Sequence, residues 1–240
     1  MSREHLQTLT DIRGLMERST KFLSLSGLSG VSAGLIAMAG AVVAYLRLRT
    51  GWFTVLDSER YERTGRTLMT QRQTLEFLLV DALAVLVLAV LAAWFFTSRK
   101  ARRQGLTVWN SASRRLVWAL AVPLAAAGVF CIGLIYQHAV WLVCPTMLTF
   151  YGLTLLNASR HTYRDLEYLG FCEIGIGLFS LFFTGYGLLT WTLGFGVLHI
   201  IYGTVMWYKY DRAALGRAGP RQAASGRATL DQVSFDPDAE

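Results

Sequence analysis

The sequence predicts an all-α integral membrane protein: six transmembrane helices in three outward-closing hairpins, preceded by an amphipathic N-terminal helix. Three observations carry that prediction. Hydrophobic residues fill 53% of the 240 positions and charged residues only 16%, too few charges to cover a surface that faces water. Several apolar runs approach or exceed the ~20 residues that span a bilayer. Basic residues gather at the ends of those runs, where they orient a helix in the membrane. That placement accounts for the net charge of +7 and excludes nucleic acid as a partner.

Residues 1–22 come first. Leu6, Leu9, Ile12, Leu15 and Met16 recur at helical spacing, with Arg3, Glu4, Asp11, Arg13, Glu17 and Arg18 between them. This pattern lays a helix on the membrane surface or against a partner. No short apolar core followed by small residues opens the chain, so a cleavable signal peptide is not expected. The first span, 23–46, carries Gly30 and Gly34 in a GxxxG spacing, with Ser26, Ala33, Ala37 and Ala44 on or near the same stripe. Small residues let backbones approach closely in lipid, a stripe that suits internal packing or a homodimer alike. Residues 50–73 form a polar connection. Trp52 and Phe53 suit the headgroup belt, and mixed charges run from Asp57 to Arg66.

The second span, 74–96, holds Asp81 about two turns inside. A basic inner loop from Arg99 to Arg115 follows, with no acid in it, a place for anionic lipid to dock. Spans three and four, 116–136 and 139–156, meet at an uncharged turn, Gln137 and His138, and contain Pro123 and Pro145. Proline inside a membrane helix frees a carbonyl and kinks the helix. A short polar loop with Arg160, His161, Arg164, Asp165 and Glu167 leads to spans five and six, 168–189 and 191–209. The tail, 211–240, is rich in Gly, Ala, Pro, Ser and Arg and ends acidic. That composition predicts a flexible cytoplasmic tail. Most of the 23 basic residues fall on one side of this topology, so the positive-inside rule puts both termini in the cytoplasm.

A charge near the bilayer centre costs several kcal/mol and needs a reason. For Asp81 the reason is an ion pair with Arg47 or Arg49 at the outer end of span one, or a part in ion passage. Spans five and six carry the other pair of ionisable residues, Glu173 and His199. Glu173, Gly177, Ser180, Thr184 and Gly187 step by fours and threes along one helix, and Thr192, Gly196, His199, Gly203 and Tyr210 make a matching stripe along the next. Folding the two about Leu189 and Thr190 sets His199 level with Ser180 and Glu173 about two turns deeper. The two would then share one polar seam without touching. The seam reads as a hydrated path or small-ligand site built on Glu173, His199, Ser180 and Thr184, with Asp81 toward the outer side. The alternative is that each polar group is separately satisfied and the glycines serve packing.

No metal, haem or other cofactor is expected. The four histidines sit at different depths and no two share an i, i+4 spacing. Cys131, Cys144 and Cys172 form no CxxC pattern and read as apolar packing residues. No nucleophile elbow, P-loop or zinc helix is present, so enzymatic activity ranks third. Ahead of it stand the movement or sensing of a small solute or ion, and then a scaffold that docks a cytoplasmic protein partner.

Only Lys21, Lys100 and Lys209 among the basic residues are lysine, a bias that fits a GC-rich bacterial genome. The six-span pattern, the Ser24–Gly30 entry and the stretch from Gly194-Phe195-Gly196-Val197-Leu198-His199 through Tyr210 resemble uncharacterised bacterial inner-membrane proteins. The resemblance implies the bacterial inner membrane as the location, and it implies no activity.

Overall fold

The computed structural model describes residues 26–48, 68–103 and 108–212. The amphipathic helix expected over 1–22, most of the connection over 50–73, Arg49 and nearly all of the tail lie outside the described residues. Within them every regular element is helical. The long elements are α1 (Gly27–Leu48), α2 (Leu68–Arg103), α3 (Ser111–Tyr136), α4 (Val143–Ser159) and α5 (Leu166–Phe182). A C-terminal rod over 187–211 follows. It joins α6 (Gly187–Trp191), a π-helix (Thr192–Leu198), α7 (His199–Met206) and a second π-helix (Trp207–Asp211).

Among the described residues, five helical stretches are long and apolar enough to cross a membrane: Gly27–Arg47, Arg72–Arg103, Ser111–Tyr136, Val140–Ser159 and Thr184–Asp211. Their surfaces say the same. Only 6% of the most apolar stretch of α2, and 6% of that of α3, is buried inside the protein. Val80, Leu83, Leu91, Val129 and Ile132 all point outward. In water such faces would drive aggregation, whereas in lipid they are the solvated side.

Three boundaries differ from expectation. Helix α2 runs 36 residues, about 54 Å, because Arg99, Lys100, Arg102 and Arg103 continue it and do not open a loop. Arg, Lys and Ala are strong helix formers, and charge alone does not stop a helix. Helix α3 starts at Ser111, earlier than 116, because Asn110 and Ser113 form a capping box at 2.8 Å in both directions. The fifth predicted span, 168–189, breaks instead at Phe183 (φ −125°, ψ 59°), leaving α5 with 17 residues, about 25 Å. Thr184–Tyr186 is a single 3-10 turn. Thr184 therefore belongs to the turn and leaves the stripe assigned to it.

The expected turn at Gln137 and His138 is present. His138 adopts φ 59°, and the amides of Ala139 and His138 donate back to Leu134 and Ile135 carbonyls at 2.8 and 3.1 Å. This is a Schellman closure with histidine where glycine is usual. Pro145 sits in the first turn of α4, where its missing N–H costs nothing.

The rod is the centre of the molecule. One side of it takes α1, which in turn carries α2. On the other side lie α4 and α5, packed most extensively on each other, with α3 against α4. The last hairpin is thus the loosest, since α5 prefers α4 and the rod prefers α1. Glycines set these contacts. A Cβ on Gly34 would fall 2.6 Å from the Gly196 carbonyl oxygen, and one on Gly203 would fall 2.7 Å from that of Gly27. The GxxxG face of α1 is consumed inside the protein. A second crossing of the same kind joins α4 to α5, where a Cβ on Gly152 would come 2.6 Å from the Gly170 carbonyl oxygen. Leu116, Leu155, Ala158, Leu166 and Leu169 fill the space among α3, α4 and α5.

Candidate functional site

Four elements meet where α4, α5, the π-helix and α7 converge. Helix α5 brings Glu173, which is fully buried, and α7 brings His199, which is 7% exposed. His199 Nδ1 lies 3.4 Å from Glu173 Oε1, near enough for electrostatic interaction but outside hydrogen-bond geometry, so neither carboxyl oxygen has a hydrogen-bond partner. The expectation that the two residues share a seam without touching is corrected. The hairpin folds about the Thr184–Tyr186 turn, not about Leu189 and Thr190. That moves the register by some two turns and brings Glu173 up to His199. The same register pairs Ser180 with Thr190, whose hydroxyls lie 2.9 Å apart.

His199 is held on both sides. Its Nδ1 lies 3.1 Å from the Gly194 carbonyl oxygen. A carbonyl only accepts, so Nδ1 carries the hydrogen and Nε2 is left with its lone pair. The Tyr151 hydroxyl of α4 fills that position at 2.7 Å, as donor. The rings of Tyr151 and Phe195 flank the imidazole, with centroids 5.4 and 6.1 Å away. Gly194 is the acceptor because the π-helix lies immediately before His199. Its wider turn brings a carbonyl five residues back within reach of the side chain. Gly194 also makes room for the acid, since a Cβ there would sit 2.5 Å from Glu173 Oε2. One turn beyond His199, the buried Tyr202 hydroxyl has no hydrogen-bond partner.

Asp81 is elsewhere. It faces α1, where its Oδ2 would lie 3.5 Å from a Cβ on Gly40. Among the described residues no ion pair joins it to Arg47. The Arg47 guanidinium lies over the Phe77 ring, 5.8 Å from its centroid. Asp81 is nearly two helical turns from Arg47 along this interface, beyond a direct contact. Asp81 thus sits between α1 and α2, and Glu173 among α4, α5 and the rod, so no single seam joins them. Tyr151 and the Gly194 carbonyl belong to the cluster, with the Tyr202 hydroxyl one turn away, and no sequence pattern marks them for that role, whereas Ser180 and Thr190 pair with each other outside it. Tyr151 sits in an apolar run with no signal of its own. Gly194 acts through its backbone, and only the fold reveals that.

A second polar cluster ties the basic end of the molecule. Asp211 Oδ2 accepts from the Ser26 hydroxyl and the Gly27 amide, both at 3.1 Å, capping α1 from the far end of the chain. Asp211 Oδ1 meets Lys100 Nζ of α2 at 2.7 Å as an ion pair off the hydrogen-bond direction, and both side chains are only 12% exposed. Nearby, Asp165 takes Lys209 at 2.6 Å and the Tyr210 hydroxyl at 2.9 Å. Burial and the Asp211 carboxylate push the Tyr163 phenol, in the α4–α5 loop, up to about 12.

Among the described residues no group of three or more His, Cys, Asp or Glu could hold a metal ion. An open apolar groove of about 450 Å³, lined by Phe179, Phe183, Leu189 and Leu193 among others, lies beside the turn. Neither Glu173 nor His199 lines it.

These features define a helical protein with several helices of membrane-crossing length and a closed Glu–His–Tyr cluster at its centre. Comparison with known proteins finds no matching family, no matching curated protein and no matching solved structure.

Proposed function

We propose that the chain is a six-span protein of a bacterial inner membrane, with both termini cytoplasmic, that moves or senses a small ion at the Glu173–His199 cluster. One observation carries the reading. A fully buried carboxyl group, with no hydrogen bond to either oxygen, faces a histidine across 3.4 Å. Burying an acid without partners is costly. It is explicable where the acid exchanges a ligand and poorly explicable where it serves only packing. On this reading α5, 17 residues long, is the further crossing that brings the five longer stretches to six.

The test is flux of protons, sodium and potassium into proteoliposomes, or ligand-induced change in intrinsic fluorescence, for wild type, Glu173→Gln and His199→Ala. Both variants are expected to abolish the response while the protein elutes unchanged in detergent. Wild-type responses in both variants would sink the reading.

A second reading, a scaffold that docks anionic lipid or a cytoplasmic protein, is favoured by the exposed side chains of Arg99, Arg102, Arg103, Arg114 and Arg115 at one end. Removing residues 1–20 should then abolish partner recovery in a gentle-detergent pull-down.

A further inference from the structure

We infer that the ion bound at this cluster is a proton, held on the Glu173 carboxyl group. The inference rests on the ion-handling reading above and names its ligand from the space and donors available. An organic solute needs a cavity of hundreds of Å³, and the groove of that size beside the turn is lined by neither Glu173 nor His199. Gly194 lies directly against the Glu173 carboxyl, and Leu148 closes on the same spot. A metal cation needs several oxygen or nitrogen ligands at 2.0–2.6 Å. Here the only acid is Glu173, the Gly194 carbonyl already takes His199 Nδ1, and His199 Nε2 is already filled by Tyr151. A proton needs neither volume nor a ligand shell.

The hydrogen-bond pattern also chooses the seat. With Nδ1–H fixed by the Gly194 carbonyl and Nε2 accepting from Tyr151, the imidazole has no vacant position. Both oxygens of Glu173 are vacant. A carboxylate at that point would face no donor except a histidine that donates elsewhere, and one bound proton removes the charge. The other titratable groups facing the cluster are Tyr151 on α4 and Tyr202 on α7. From α1 the rod receives Gly27, Gly30, Gly34 and Met38, none of which titrates. Binding therefore changes the charge of the cluster by one, with no compensating ion beside it.

The experiment is infrared difference spectroscopy of the purified full chain in lipid, titrated from about pH 4 to about pH 10, with and without excess sodium, potassium or magnesium. Wild type is expected to show a protonated-carboxyl C=O band that titrates, with a midpoint that none of the cations moves. Glu173→Gln is expected to lose that band, and Glu173→Asp, which keeps an acid in the pocket, to restore it. The inference is overturned if no Glu173-dependent band titrates in wild type, or if a metal cation displaces the proton. Flux separates this failure from that of the wider reading. Persistent flux of another ion that Glu173→Gln abolishes keeps the ion-handling reading and discards the proton. A titrating Glu173 without flux or sensing keeps the proton site and discards the wider function.

Discussion

Two acids held away from most solvent, Glu173 and Asp211, meet opposite treatment in this molecule. Asp211 is surrounded by donors: the Gly27 amide, the Ser26 hydroxyl and the Lys100 ammonium. Its charge is compensated in place, and the contacts join the start of α1, the end of α2 and the end of the rod. Glu173 is more deeply buried and receives no hydrogen bond. Its histidine neighbour gives Nδ1–H to a backbone carbonyl. Two hydrogen bonds to one oxygen and an ammonium beside the other make Asp211 a fastener between elements. Lack of satisfaction leaves protonation as the remaining way to remove the charge, so the less supported acid is the one free to change state.

Stability measurements in detergent can break this contrast. Asp211→Ala removes the cap of α1 and the carboxylate beside Lys100, and should cost about 3 kcal/mol in a thermal or denaturant unfolding midpoint analysis. Gly194→Ala drives a methyl group at Glu173 Oε2 and should cost about 1–3 kcal/mol as overpacking, with the Glu173 infrared band shifted. Tyr151→Phe deletes the hydrogen bond to His199 Nε2 and should cost about 1 kcal/mol. Glu173→Gln removes no hydrogen bond and should change stability by under about 1 kcal/mol, despite being the most buried of the four sites. If Glu173→Gln proves as damaging as Asp211→Ala, the two acids are both fasteners and the contrast fails. If Asp211→Ala is harmless, the end cluster is decoration and the contrast fails from the other side.

The helical class, the apolar stretches and the turn at Gln137–His138 were legible in the sequence, because each depends on local composition. So was the choice of Glu173 and His199, since ionisable residues in apolar helices stand out against their neighbours. Their contact was not legible. It depends on where the last hairpin turns. A turn centred on Gly185 and one expected four or five residues later, at Leu189 and Thr190, give registers more than two helical turns apart in an antiparallel pair. The Asp81–Arg47 pair failed for a related reason: sequence proximity to a shared hairpin says nothing about depth, and Arg47 found an aromatic ring one turn away from the acid. Tyr151 and the Gly194 carbonyl were invisible, because an unremarkable tyrosine and a backbone oxygen acquire a role only once another helix delivers an imidazole between them.

The central position of the rod bears on how the molecule is made. The helices that flank it, α1 on one side and α4 and α5 on the other, all precede it in the chain, so translation delivers them first. Until residues 187–211 follow, the glycine face of α1 has no partner and His199 does not yet exist to meet Glu173. Assembly is therefore completed by the last helix, which joins a pair (α1 and α2) to a triplet (α3, α4 and α5). The cluster at its heart cannot form before that helix, whose C-terminal end meets the start of α1 through Asp211 and Gly27.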